Sequence, residues 1–246
     1  LPEPKTNKYY YDDDLAAAVM AFQRDRGLDA DGVIGEDTLK LLNRTKRDKY
    51  LQILANLERL RWVDPNMGER YVIVNIPSSR LWAIENGRVA FEMPVIVGSP
   101  VRKTRAFRTE IRGLRLNPTW TIPPGIKKQD ILPAIQRDLN FLYDRQIELY
   151  KGYGDEAVSI DPTSVDWHSI TDKELRSLRM VQGPGDNNPL GRFRVLMPNS
   201  YDMYLHDTNH PELFENEELA LSSGCMRMQE PVKMAHFIMK GRASWS

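Results

Sequence analysis

The chain has 246 residues, with 34 Lys and Arg balancing 34 Asp and Glu, so no global field draws it towards nucleic acid or anionic lipid. Its 41% hydrophobic and 28% charged residues argue against collagen, coiled coil and wholesale disorder. A single cysteine, Cys225, excludes an intramolecular disulfide, a CxxC redox pair and a cysteine-rich zinc or iron–sulfur centre.

No apolar run approaches the roughly 18–20 residues of a membrane-spanning helix, and no charged-then-apolar leader opens the chain. It begins at Leu1, so the expectation is a soluble, trimmed piece with no membrane contact of its own, whose destination cannot be read from a targeting signal. After a polar, proline-containing start, Asp12 to Asp14 supply an N-cap for a helix whose apolar residues Leu15, Val19 and Phe22 fall on one face and which stops at Gly27. A glycine-punctuated turn, Leu28 to Gly35, leads into a short helix from Glu36 to Leu42. On periodicity alone this is a helical hairpin. From Thr45 to Trp62 the spacing of Leu51, Leu54, Leu57 and Leu60 predicts an amphipathic connector helix, stopped by Asp64-Pro65-Asn66.

Near Glu69 the hydrophobic period changes to two, and Asn86-Gly87 separates two apolar runs as a type I′ hairpin turn would. Strands are predicted over Val95–Val97, Ile111–Trp120, Phe193–Met197 and, after the turn Pro198-Asn199-Ser200, Asp202–His206. Residues 127–180 differ: helical patterning over Ile131–Tyr143 and a capped segment at Thr171 predict a helical insertion. It is bounded by Pro123-Pro124-Gly125 and Gly183-Pro184-Gly185, and reads equally as a lid over a cleft or a decorative excursion. A last helix starts at Pro231 and carries His236, which with His168 reads as a surface or packing residue.

Chemistry concentrates in Asp202 to Met228. From Arg102 to Lys128 there are eight basic residues against Glu110 alone, whereas Asp202 to Met226 holds six acids and no Lys or Arg; such runs gain function only beside a cleft. His206 ends a predicted strand and Cys225 follows nineteen positions later. A thiol is a few per cent ionised at neutral pH and needs a base to act as a nucleophile, which His206 can supply. Ser222-Ser223-Gly224 gives a tight approach in which the N–H groups of Gly224 and Cys225 point at a developing oxyanion, and Arg227 adds positive charge. Seen alone, Cys225 reads better as a buried structural cysteine. His206 and His210 superficially resemble a zinc-binding H-E-x-x-H, but Pro211 follows, the preceding residues read as strand and Asp207 replaces the Glu, so no metal is expected.

Two stretches resemble known families. Ala18 to Asn43, AVMAFQRDRGLDADGVIGEDTLKLLN, resembles the peptidoglycan-binding module in which a helix ending FQ, a GL-x-x-DG-x-x-G turn and a T-L-x-x-L-N helix follow one another. His206-Asp207-Thr208, a loop, then Ser222-Ser223-Gly224-Cys225-Met226-Arg227 resembles the H-G-T and S-H-G-C signature of the YkuD-type L,D-transpeptidases. Gln182-Gly183-Pro184-Gly185, Asn188, Leu190-Gly191, Met197-Pro198-Asn199, Tyr204-Leu205 and Asn117-Pro118-Thr119-Trp120 are similar to the larger Gram-negative, YcbB-like branch.

The resemblance implies an α+β chain: a small all-α peptidoglycan-binding domain over 1–46, whose true start is left open, a linker helix over 47–68, and a mainly-β catalytic domain over 69–246 with 127–180 as a capping insertion. It implies formation of 3-3 cross-links in peptidoglycan through a cysteine thioester, with D-alanine released from tetrapeptide stems, and no cofactor. Cys225 would be the nucleophile, His206 the base, the Asp207 backbone carbonyl the third member, Gly224 the oxyanion donor and Arg227 a supporting charge, with Tyr204, Ser222, Ser223 and Trp120 contacting substrate. Asp207 and Ser223 depart from the family's Gly and His, which leaves His206 the only candidate base in the signature. Expected partners are stem peptides and carbapenem inhibitors, in the periplasm, with anchoring of the full-length protein to the inner membrane left open. Alternatives are attachment of an envelope lipoprotein by the same chemistry, a non-catalytic peptidoglycan-binding protein, and a zinc peptidase or amidase.

Overall fold

The computed structural model describes residues 10–240, and the chain divides into two compact units, Leu1–Met67 and Gly68–Ser246. The proline-containing start lies outside the described residues.

In the first unit α1 (Asp13–Arg26) starts where the Asp12 side chain accepts the Leu15 N–H at 2.9 Å, and ends at Gly27, whose φ of 69° is the left-handed conformation glycine adopts without strain. Val19 is buried from this helix, and so is Gln23. The Gln23 amide ties the following turn together: it donates to the Asp31 carboxylate, the Val33 carbonyl and Thr38 Oγ1 and accepts the Gly32 N–H. All four links are what permits so polar a side chain in a small core. After α2 (Glu36–Leu42), a capping box between Thr45 and Asp48 starts α3 (Lys46–Arg61). That helix forms as predicted, but Leu51, Leu54, Leu57 and Leu60 are all exposed. Caps and helix propensity, rather than burial of a stripe, define it.

The second unit runs β1 (Arg70–Asn75), β2 (Arg80–Glu85), β3 (Arg88–Gly98), β4 (Gly113–Leu116), β5 (Trp120–Thr121), α4 (Pro124–Ile126), α5 (Leu132–Arg137), α6 (Asn140–Asp144), β6 (Ile147–Lys151), β7 (Val158–Ile160), α7 (Asp172–Ser177), β8 (Leu178–Gln182), β9 (Phe193–Leu196), β10 (Leu205–His206), β11 (Ala220–Ser222), β12 (Met226–Met228) and α8 (Pro231–Met239). One sheet has the order β1-β2-β3-β12-β10-β9-β4, with β11 added alongside β3. β3 holds it together: its first part pairs β2 across the Asn86-Gly87 turn, where both residues have positive φ as a type I′ turn demands, and its last residues pair β12 and β11. Leu81, Met93, Val95, Phe193, Val195, Leu205, Met226 and Met228 form the core on one face, sealed by Met234 and Ile238 of α8.

The insertion is not simply helical. Strands β5-β8-β6-β7 make a second, four-stranded sheet over a separate core that includes Ile122, Leu142, Leu149, Trp167, Leu175 and Met180. The predicted helix Ile131–Tyr143 breaks at Asp138, which is extended (φ −154°, ψ 114°) and whose carboxylate takes the Asn140 N–H at 2.9 Å. Predicted strands shorten for local reasons too. Ile111–Trp120 is interrupted by Asn117 at φ 43° before Pro118, leaving β4 and β5. Asp202–His206 shrinks to Leu205–His206 because the Asn199 side chain accepts the Tyr201 and Met203 N–H groups at 3.0 and 3.2 Å and Asp202 turns to φ 52°.

Candidate active site

β10 and β12 are parallel neighbours with His206 opposite Arg227, and β9 places Arg194 opposite His206. Residues alternate between sheet faces, so with Leu205, Met226, Phe193 and Val195 in the core, His206, Arg227 and Arg194 share the other face. Tyr204 and Cys225 immediately precede the two strands; the Met226 N–H donates to the Tyr204 carbonyl at 3.0 Å, which locks these ends together. The Tyr204 ring meets His206 edge-on at 5.9 Å between centroids, and the Arg194 guanidinium lies 4.9 Å from the Tyr204 ring centre.

His206 is buried, and its Nδ1 lies 2.5 Å from the Asp207 carbonyl oxygen. A carbonyl can only accept, so Nδ1 carries the proton and Nε2 is left as the acceptor. Burial, then the positive charge of Arg227, disfavours the imidazolium; the Asp207 carbonyl, and more weakly that of Pro189, oppose this, and the net effect pushes the ring down to about 3. Burial pushes the Cys225 thiol up, while the Tyr204 N–H and the guanidiniums of Arg227 and Arg194 draw it down and the Asp202 carboxylate raises it. Both groups therefore rest uncharged. The Sγ–H makes a long contact, 3.9 Å, to the Asp202 carbonyl.

The loop before Cys225 is braced from within. Ser222, buried, donates to the Cys225 carbonyl at 2.6 Å and accepts the Gly224 N–H at 3.0 Å. Thr104 Oγ1 donates to the Gly224 carbonyl and accepts the Gly98 N–H, both at 2.8 Å. Gly224 has φ 118°, and a Cβ there would come 3.1 Å from Met203 Cε, so the position calls for glycine.

These contacts place three of the expected site residues within the fold. The Gly224 N–H is engaged by Ser222 Oγ. Ser222 holds the loop and is not open to substrate. Trp120 packs partly buried against the second core and so supports the insertion. Ser223, in contrast, is at the surface, and its Oγ accepts from Arg102 at 2.8 Å, while the same guanidinium grips Asp130 of the insertion at 2.6 and 2.9 Å. His210 is exposed and pairs with Glu212 at 2.8 Å, so its ring serves a different partner from that of His206.

Four residues escaped sequence reasoning. Arg194 interrupts the apolar pair Phe193 and Val195, a signal that was available, and its buried Nε has no hydrogen-bond partner among the described residues. Asp202, with its positive φ, and the Arg102–Asp130 pair join the site through contacts that no local pattern announces.

Residues 69–243 match the family model described as the YkuD L,D-transpeptidase catalytic domain, and residues 3–42 match the one described as "Putative peptidoglycan binding domain". A curated protein of Haemophilus influenzae, "Putative L,D-transpeptidase", is 34% identical over 203 residues, covering 82% of this chain and 40% of that protein. The chain thus spans about two fifths of the length of this relative. Among solved structures, L,D-transpeptidase from Mycobacterium smegmatis aligns at 12% identity and TM-score 0.37, over 70% of this chain and 54% of the other. A cysteine-to-serine mutant of the Enterococcus faecium L,D-transpeptidase aligns at 12% identity and TM-score 0.36, over 73% and 48%.

Proposed function

The chain belongs to the YkuD family of L,D-transpeptidase catalytic domains, and from that premise we propose that it is a cysteine acyltransferase that forms 3-3 cross-links between peptidoglycan stem peptides in the periplasm. The observation that carries this reading is the common face of β9, β10 and β12, where His206, Arg194, Arg227 and Tyr204 meet beside the start of β12, which Cys225 immediately precedes.

The chemistry follows from two groups that rest neutral. As Cys225 Sγ attacks the carbonyl between the third residue and D-alanine of a tetrapeptide stem, its proton passes to His206 Nε2, and the imidazolium is held by Nδ1–H donation to the Asp207 carbonyl. The Cys225 N–H meets the oxyanion of the tetrahedral intermediate. Collapse breaks the C–N bond, the departing amine takes the proton from His206, and D-alanine leaves a thioester on Cys225. The acceptor amine then attacks the thioester, gives its proton to His206, and the thiolate departs and is reprotonated, which restores the resting state. Arg227 and Arg194 favour the thiolate as it forms.

The peptidoglycan-binding module, 1–46, would hold the substrate strand, with 47–68 as linker, 69–246 as catalytic domain and 127–180 as a cap whose contact with the site runs through Arg102 and Ser223. No cofactor enters any step. The strained lactam of a carbapenem presents the same kind of carbonyl to Cys225 and would acylate it. Incubation with disaccharide tetrapeptides, followed by mass spectrometry of the muropeptides, tests the proposal. The expected product joins two stems with loss of one D-alanine. Transfer only to a lipoprotein-like amine would make the protein an anchoring enzyme, and no D-alanine release would refute the acyltransferase reading.

A further inference from the structure

Asp207 does more than lend a carbonyl. Its carboxylate accepts the Arg192 N–H through Oδ2 at 2.8 Å and the Thr208 N–H through Oδ1 at 2.7 Å, while its own N–H donates to the Phe193 carbonyl at 3.0 Å. The carboxylate also lies flat against Gly191: a Cβ at that residue, where φ is 62°, would come within 2.5 Å of both the Asp207 carboxyl carbon and Oδ2. The turn so gripped is itself rigid. Asn188, buried, accepts the Leu190 N–H at 2.9 Å and donates to the Pro118 and Gly183 carbonyls at 2.9 and 2.8 Å, and the Gly191 N–H returns to the Asn188 carbonyl at 3.0 Å.

We infer that the Asp207 side chain is a positioning residue for His206: by clamping the Pro189–Arg192 turn against β10, with Gly191 as the surface it closes on, it holds the Asp207 backbone carbonyl in place against His206 Nδ1. The clamp has the right chemistry for its partners. Both groups facing the carboxylate are N–H donors, and an anion with two acceptor oxygens satisfies both, which neither an amide nor a missing side chain can do. It also has a chemical purpose. The Asp207 carbonyl faces Nδ1, whose N–H is present in both the neutral and the protonated ring, so a carbonyl held at fixed geometry keeps Nε2 as the acceptor for the Cys225 proton. A residue that acts through the ring changes the rate of the chemical step and leaves substrate binding alone. Geometry loosened by about 1 Å at a reacting group costs on the order of 10²-fold in rate.

The inference rests on reading His206 as the base, and its test separates the two. Asp207→Gly keeps the backbone carbonyl and removes the clamp, and Asp207→Asn keeps the size but sets an NH₂ against one N–H. Two readouts are compared with the parent chain: kcat and KM for D-alanine release, and the ¹⁵N resonances of the His206 ring, taken without substrate. The inference expects a fall in kcat of about 10²-fold with KM little changed for Asp207→Gly, a smaller fall for Asp207→Asn, and ring resonances that move from the Nδ1–H tautomer towards a mixture in both. Gly191→Ala, which pushes on the carboxylate, should reproduce the Asp207→Gly resonances, and adding it to Asp207→Gly should cost little more, because the collision is gone. If Asp207→Gly left the ring resonances unchanged, the positioning role would be wrong whatever happened to activity. Altered resonances in a protein that never releases D-alanine would uphold the clamp and remove the acyltransferase reading instead.

Discussion

His206 ties stability to pH with a sign that can be worked out. Its ring is held at about 3 when folded, against an ordinary value of 6.5, chiefly because it is buried. Between these values the unfolded chain binds a proton that the folded chain does not, so the stabilisation is complete above 6.5 and is lost progressively as pH falls towards 3. With those two values, lowering the pH from 7 to 5 costs about 2 kcal/mol from His206 alone, almost all of it set by protonation of the unfolded chain. Carboxylates add their own dependence, but it is common to the parent and to His206→Gln and cancels in the comparison. Urea unfolding followed by tryptophan fluorescence at the two pH values should give a parent that loses about 2 kcal/mol more than His206→Gln. Parallel losses in the two proteins would mean that His206 titrates as an ordinary histidine. The buried setting that is held to keep the ring uncharged would then be wrong.

Gly98→Ala should be damaging out of proportion to one methyl group, since its Cβ would come 2.2 Å from the Arg102 carbonyl oxygen and 2.5 Å from the Thr104 nitrogen; thermal unfolding should show a loss of about 1–3 kcal/mol, and acylation should fall with it because Thr104 braces Gly224. Arg102→Ala breaks the link between Asp130 and Ser223; an exposed ion pair contributes only about 0.2–1 kcal/mol, so stability should barely change while turnover of long stem peptides drops, and unchanged kinetics on them would end the capping role of the insertion. A carbapenem should add one drug mass to the protein, mapping after digestion to the peptide with Cys225, and an adduct on Ser222 or Ser223 would show that the nucleophile is misassigned.

What could be read from the sequence was local. The caps at Asp12, Gly27 and Thr171 and the Asn86-Gly87 turn are each decided by a few adjacent residues, and each forms as predicted. The α3 stripe shows the limit of periodicity: Leu51, Leu54, Leu57 and Leu60 recur at helical spacing and the helix forms, yet spacing cannot say whether anything covers that face. In the insertion, β6 and β8 pair residues some thirty positions apart, Ile147 with Gln182 for example, and a single strand with little alternation gives no sign of its partner. The fate of the Gly224 N–H was equally hidden. The serine two residues earlier could equally have faced a substrate, and only its burial decides that it faces inwards. Asp207 was legible as a departure from the family's glycine but not as a clamp, because Gly191 and Arg192 approach it from fifteen or so residues away.

The central claim is a thioester on Cys225, and intact-protein mass spectrometry after mixing with a tetrapeptide stem, in the absence of any acceptor amine, tests it most directly. The account predicts an added mass equal to the stem less D-alanine, released by hydroxylamine, confined to the Cys225 peptide and absent from Cys225→Ala, which should keep the parent's fold. Release of D-alanine by Cys225→Ala, or a parent protein that releases it with no covalent adduct at any time, would contradict the account.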